Sequence, residues 1–221
     1  RRALPWALFA LLVLTQICYP LTSGDTRAAC TVTTVLLGYA GSVLHAGLAR
    51  GPRAALALVA TATVGGFLVE AVGVATGFPF GEYDYSGRLG PKILDVPLII
   101  PLAWTWMAWP AWLAALRVAR STPVRIVVAA AGLAAWDLFL DPQMVAEDYW
   151  LWRSPEPALP GVPGIPIGNY LGWLGFALVL MAALSWALGR AGTEPAPDDA
   201  PMIALWFWTY ASSVLAHAVF L

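Results

Sequence analysis

The stretch "TPVRIVVAAAGLAAWDLFLD", Thr122 to Asp141, decides how this chain folds. It carries one arginine near its start, two aspartates near its end, and almost nothing between them that favours water. A helix needs about 20 apolar residues to cross the hydrocarbon of a bilayer, so the stretch reads as a membrane span. Asp137 and Asp141 stand four residues apart. That spacing is about one helical turn, so the two carboxylates share a face. A carboxylate within a bilayer costs about 3 kcal/mol on insertion scales; such groups are ordinarily hidden in a bundle and used.

The rest of the chain has the same character. Of its 221 residues, 60% are hydrophobic and 11% are charged, and mean hydropathy is +0.72. A soluble domain carries about a quarter charged residues. This chain cannot clothe a water-facing surface and is expected to be an integral membrane protein. A net charge of −1 and the lack of any basic cluster exclude a nucleic-acid partner. Apolar runs long enough to span recur near 3–23, 29–49, 53–77, 95–118, 122–141, 168–189 and 201–221. The expected fold is all-α, a polytopic bundle of about seven transmembrane helices forming a single domain over 1–221. The first run lacks the usual cleavage pattern of a signal peptide and is read as a span. The fifth is expected to stop at Asp141, because a residue before proline is pushed away from helical geometry.

Two linkers are long and rich in Gly, Pro, aromatic and charged residues, 78–95 and 142–169. A third, "GRAGTEPAPDDAP", reads as a plain solvated loop. Counting Arg and Lys by side gives the orientation. With the N-terminus cytoplasmic, that side holds Arg1, Arg2, Arg50, Arg53, Arg117, Arg120, Arg125 and Arg190. The other side holds Arg27, Arg88, Lys92 and Arg153. The bias puts both long linkers together on the extracytoplasmic face of a plasma-membrane protein.

Glu70, Asp137 and Asp141 then lie toward that same face and are expected to meet in one cavity. Buried carboxyls sharing a site titrate as a unit, and a neutral acid beside an ionised one is an acid/base pair. The alternative is structural: Asp137 satisfied by Arg153 or an indole N–H, Asp141 capping a helix end. Asp95, ahead of "VPLIIPLAW", is a further candidate acid, although a helix N-cap is the commoner use of such a residue. Trp104, Trp136 and Trp173 offer aromatic faces that can stack on flat apolar groups and stabilise a passing cation, although packing is the commoner use of any single one; Trp150 and Trp152 read as interfacial belt residues. Tyr83 and Tyr85 of "GEYDY" and Asn169 of "GNYLGW" are candidate hydrogen-bonding groups for water or the acids.

No phosphate-binding loop and no metal-ligand spacing appears, and no metal is expected. His45 and His217 lie on different spans and read as packed core residues. Seven spans suggest a retinal protein, but the last span has no lysine for a Schiff base. Cys18 and Cys30 flank one short loop, where either a single bridge or two free thiols would fit.

"FGEYDYSGRLGPKILDVPLIIPLAW" (80–104), "WDLFLDPQMVAEDYWLW" (136–152) and "GIPIGNYLGW" (164–173) resemble, in this order, the carotenoid biosynthesis membrane family that includes the CruF-type carotenoid hydratases. The resemblance covers about Gly66 to Trp173. It implies a hydratase, a hydro-lyase needing no cofactor, that adds water to the terminal isopropylidene double bond (the ψ-end) of an acyclic carotenoid drawn from the bilayer. It transfers no catalytic assignment, so the candidate acids remain Asp137, Glu70, Asp141 and Asp95. Asp137 or Glu70 is the expected proton donor, with Asp141 orienting water. A carotenoid cyclase would share the protonation step, and a non-enzymatic carotenoid-binding or transport protein would use the acids otherwise.

Overall fold

A computed structural model describes residues 3–192 and 194–220. Arg1 and Arg2, counted above for orientation, lie outside them. Seven stretches are helical, long and apolar enough to cross a membrane: Ala3–Leu21, Gly24–Arg50, Pro52–Thr76, Ile99–Val118, Thr122–Ala146, Ile167–Leu188 and Pro197–Phe220. The helices are α1 (Ala3–Cys18), α2 (Gly24–Arg50), α3 (Pro52–Leu58), α4 (Gly65–Thr76), α5 (Ile99–Val118), α6 (Thr122–Ala146), α7 (Ile167–Leu188) and α8 (Ala200–Phe220). A π-helical segment, Val59–Val64, joins α3 and α4 into one span.

The fifth span corrects its expected end. α6 runs through Pro142 to Ala146. Proline has no N–H to give the Leu138 carbonyl, yet membrane helices tolerate this where neighbours re-satisfy the backbone. Asp137 and Asp141 thus both face out of continuous helix.

The helices surround α5, most of whose residues are buried, including Trp104, Trp106, Trp109 and Trp112. In α1, by contrast, only Pro5 and Leu12 are buried. Lipid is as apolar as a leucine side chain, so helices in a membrane associate by close packing rather than by hydrophobic exclusion. Gly38 on α2 allows such an approach: a Cβ there would sit 2.5 Å from the Trp106 ring.

The two long linkers meet at one end of the bundle, as expected. Strand β1 (Tyr83–Tyr85) pairs antiparallel with β4 (Trp150–Trp152), with Tyr83 opposite Trp152 and Tyr85 opposite Trp150. Alternation along a strand sends neighbours to opposite faces. Tyr83, Trp150 and Trp152 are therefore buried, while Asp84 and Leu151 are exposed. Arg153 clamps Asp84 with two bonds of 2.7 and 2.6 Å, which holds the Asp84 carboxyl below its ordinary range. Two smaller hairpins, β2 (Lys92–Ile93) with β3 (Val96–Pro97) and β5 (Ala158–Leu159) with β6 (Val162–Pro166), complete this cap.

At the other end, the linker read as plain solvated loop is tied down. Asp199 is fully buried and pairs with Arg50 at 2.8 Å. His45 is a core residue as expected: its Nδ1 accepts from Trp109 Nε1 at 2.9 Å, and its Nε2 meets the Asp198 carbonyl at 2.8 Å. Cys18 and Cys30 are free thiols, not a bridge.

Candidate active site

Glu70 sits on α4, six residues past the π segment, and is buried. Its carboxylate accepts three hydrogen bonds: from Tyr83 Oη and Tyr85 Oη at 2.7 Å each on Oε2, and from Trp104 Nε1 at 2.9 Å on Oε1. The cap strand explains the first two, because residues two apart on β1 point the same way. Gly73 makes room for them; a Cβ there would stand 2.7 Å from the Tyr83 hydroxyl. Burial first, and the Glu70 charge second, push both phenols far above their ordinary range. They remain O–H donors.

Asp137 and Asp141 form a second cluster one turn apart on α6, both buried. Asn169, at the start of α7, donates its amide to Asp137 Oδ2 at 2.8 Å and also to Asp141 Oδ2. Trp150 Nε1, from the cap, donates to Asp141 Oδ1 at 3.0 Å. Carboxylates carry no donor, so the Asn169 amide that both accept from is what holds the two side by side. Arg153 is not the partner of Asp137, since it belongs to Asp84.

A cavity of about 670 Å³ joins the clusters. Glu70, Asp141 and Asn169 line it together with Tyr83, Tyr85, Trp104, Trp136 and Trp173. Trp104 stacks on Trp173 with centroids 3.9 Å apart and planes at 21°; Trp136 meets Trp173 edge-on at 6.4 Å. Asp137 is fully buried behind Asp141 and does not line the cavity. Asp95 stands apart: it is exposed in the turn between β2 and β3 with φ 62°, a conformation aspartate tolerates. It caps no helix, because Leu98 is the N-cap of α5.

Trp150 is the site residue that the sequence reading assigned elsewhere, to the interfacial belt. The alternation of "WLW" opposite "YDY" was the available signal, since it turns Trp150 and Trp152 inward together. Arg88 and Lys92 bond backbone carbonyls of Glu147 and Tyr85. Among the described residues no group of three or more His, Cys, Asp or Glu is placed to hold a metal.

These features define a seven-span membrane protein with paired acidic clusters beneath an aromatic cap. The chain belongs to the carotenoid biosynthesis protein family, whose model matches residues 30–220. It is 36% identical over 156 residues to the bisanhydrobacterioruberin hydratase of Haloarcula japonica. That match covers 68% of this chain and 51% of the relative, so the chain spans about half the relative's length. No solved structure matches it.

Proposed function

We propose that the chain is a carotenoid hydratase that adds water across the terminal isopropylidene double bond of an acyclic carotenoid. The observation that carries this reading is two unlike acid clusters on one aromatic cavity: Asp141, tied to Asp137 behind it by the Asn169 amide, and Glu70, a carboxylate held by three donors. The similarity to a protein named as a carotenoid hydratase supports it.

The steps balance without a redox partner. Asp141 gives its proton to the less substituted alkene carbon, forming a C–H bond and leaving a tertiary carbocation. Asp137 acts behind it as a positioning residue that shares and restores the proton. The role passes from Asp137 to Asp141 because, of the two aspartates, Asp141 is the one that lines the cavity; Glu70, which also lines it, is held by three donors and takes the part of the anion. The stacked Trp104 and Trp173 faces and the Glu70 carboxylate stabilise the cation. Water attacks the cation, a C–O bond forms, and the surplus proton passes to Glu70 and back to the aspartate pair. The product is a tertiary alcohol. The substrate enters from the bilayer, and the site lies near the extracytoplasmic face with the N-terminus inside.

The test is expression in a strain that accumulates an acyclic carotenoid, with pigments separated by chromatography and weighed by mass spectrometry. A product heavier by one or two waters is expected. An isomer of unchanged mass would mean a cyclase. Unaltered pigment that co-purifies would mean a binding protein.

A further inference from the structure

Hydration has two substrates, and the cavity has two unlike walls. One side carries exposed apolar side chains, Leu21 at the end of the first span and Leu215 and Phe220 on α8. The other is polar and lies where the first interhelical turn meets the end of α6. There Tyr19, Arg27, Gln143 and Glu147 line the same cavity that reaches Asp141. Arg27 makes an ion pair with Glu147 and lies 5.4 Å over the Tyr19 ring. Gln143 stands two residues beyond Asp141 on the same helix.

Several buried polar atoms in this region have no protein partner among the described residues. The Tyr149 hydroxyl is one of them and lies close to Tyr19 and Arg27, while the Tyr19 hydroxyl is turned to the Gln143 side chain. Asp137 Oδ1 and the Tyr170 hydroxyl are two more, behind the part of the cavity wall that Asp141 and Asn169 form. Buried polar groups lacking a protein partner are ordinarily satisfied by ordered water.

Resting on the hydratase reading, we infer that the neck framed by Tyr19, Arg27, Gln143 and Glu147 is the route by which water reaches the carbocation, separate from the apolar side that admits the polyene. Arg27 and Glu147 hold the neck's outer rim. Tyr19 and Gln143 pass water inward to Asp141. These side chains set how the cation is spent. Water capture gives the alcohol. Loss of a proton from a neighbouring carbon to a carboxylate gives back an alkene.

The partition is measured in D2O with the full chain in membranes and an acyclic carotenoid bearing two ψ-ends. Every cation formed there carries deuterium on carbon. The readout is the fraction of deuterium-labelled pigment that is hydrated. Tyr19→Phe removes one hydroxyl and is expected to lower that fraction about fivefold, the worth of one hydrogen bond. Gln143→Leu keeps the bulk, dries the neck and lowers it further. A merely structural defect lowers both labelled products together and leaves the fraction unmoved; that result, in the two variants, overturns the route. Should Tyr19→Phe fail to assemble, Gln143→Leu decides alone. A wild-type chain yielding neither hydrated nor labelled pigment removes the hydratase reading itself, which distinguishes that failure from failure of the route.

Discussion

Asn169 Nδ2 lies 2.8 Å from Asp137 Oδ2 and bonds Asp141 with the same amide, so one side chain on α7 fixes the spacing of two acids on α6. Asn169→Leu keeps the volume and removes that bridge. Hydrogen bonds to charged groups are worth about 1.5–3 kcal/mol, so hydrated pigment per unit of protein is expected to fall by about tenfold or more. Asn169→Asp places a third carboxylate against the pair and is expected to do worse. Pigment chromatography against immunoblotted protein checks both; activity surviving in both would remove the pair from the mechanism.

Glu70 and its phenols differ in the size of their expected effects. Glu70→Gln keeps the shape but removes the charge facing the cation, and electrostatic stabilisation of this kind is worth about 100-fold or more in rate. Tyr85→Phe leaves the Tyr83 and Trp104 bonds to Glu70 intact and is expected to cost about fivefold, one hydrogen bond's worth. Initial rates of hydration in membranes rank the two. Equal losses would mean that Glu70 serves only to anchor the cap.

Gly73 allows a test of geometry without touching an acid. Its missing Cβ would lie 2.7 Å from Tyr83 Oη and 3.0 Å from a Phe80 ring carbon. Gly73→Ala must push Tyr83 off Glu70, and losing that bond is expected to lower hydration by about fivefold or more. Gly168→Ala is the control, because nothing lies within 4 Å of a Cβ there. Parallel pigment yields from the two variants would contradict the tight fit.

Much of this site was legible because membrane burial makes acids conspicuous. Glu70, Asp137 and Asp141 stand out against runs that carry almost no other charge, and the helical period alone pairs the two aspartates. What helical periodicity could not supply was contact between elements distant in the chain. That Trp150 reaches Asp141, or that Tyr83 and Tyr85 reach Glu70, depends on two loops pairing as strands. The alternation of "YDY" and "WLW" hints at this only once their pairing is known. The end of α6 was misplaced because the local restriction before Pro142 was outweighed by a continuous helical backbone. Asp95 misled for a related reason: an acid before an apolar run also suits a tight turn, which is where it stands.

The cap should loosen in acid. Hydrogen bonding to Arg153 depresses the Asp84 carboxyl below its ordinary value of 3.8. A depressed carboxyl contributes stability above its unfolded value, and that contribution is lost as pH falls through the lower folded value. The β1–β4 pair is therefore expected to keep its amide protection at neutral pH and lose part of it below pH 3.8. Both side chains are more than half exposed, so solvent screening keeps the contribution small. Hydrogen exchange across Tyr83–Tyr85, compared between wild type and Arg153→Gln, reads this out. The variant should lack the acid step; an unchanged step would assign it to another group.

Far from the cap, Asp199 tests whether the opposite end needs its ion pair. Asp199 is fully buried and Arg50 nearly so, and the two are joined at 2.8 Å. Removing one partner of a buried pair leaves an uncompensated charge and costs about 3–5 kcal/mol. Asp199→Asn is expected to lower the melting temperature and the amount of chain recovered in membranes. Replacing both, with Arg50→Met and Asp199→Leu, leaves without its Asp199 partner only Arg117, which sits 3.6 Å away and is partly solvated, and is expected to recover most of the loss, because an apolar pair of similar bulk often matches a buried ion pair. The cavity lies at the other end of the bundle, so the hydrated fraction per folded molecule should be unchanged in all three chains. Thermal unfolding in detergent with pigment assays on the same preparations checks both halves. If the double variant were as unstable as Asp199→Asn, the pair would be needed for specific contacts rather than for charge balance.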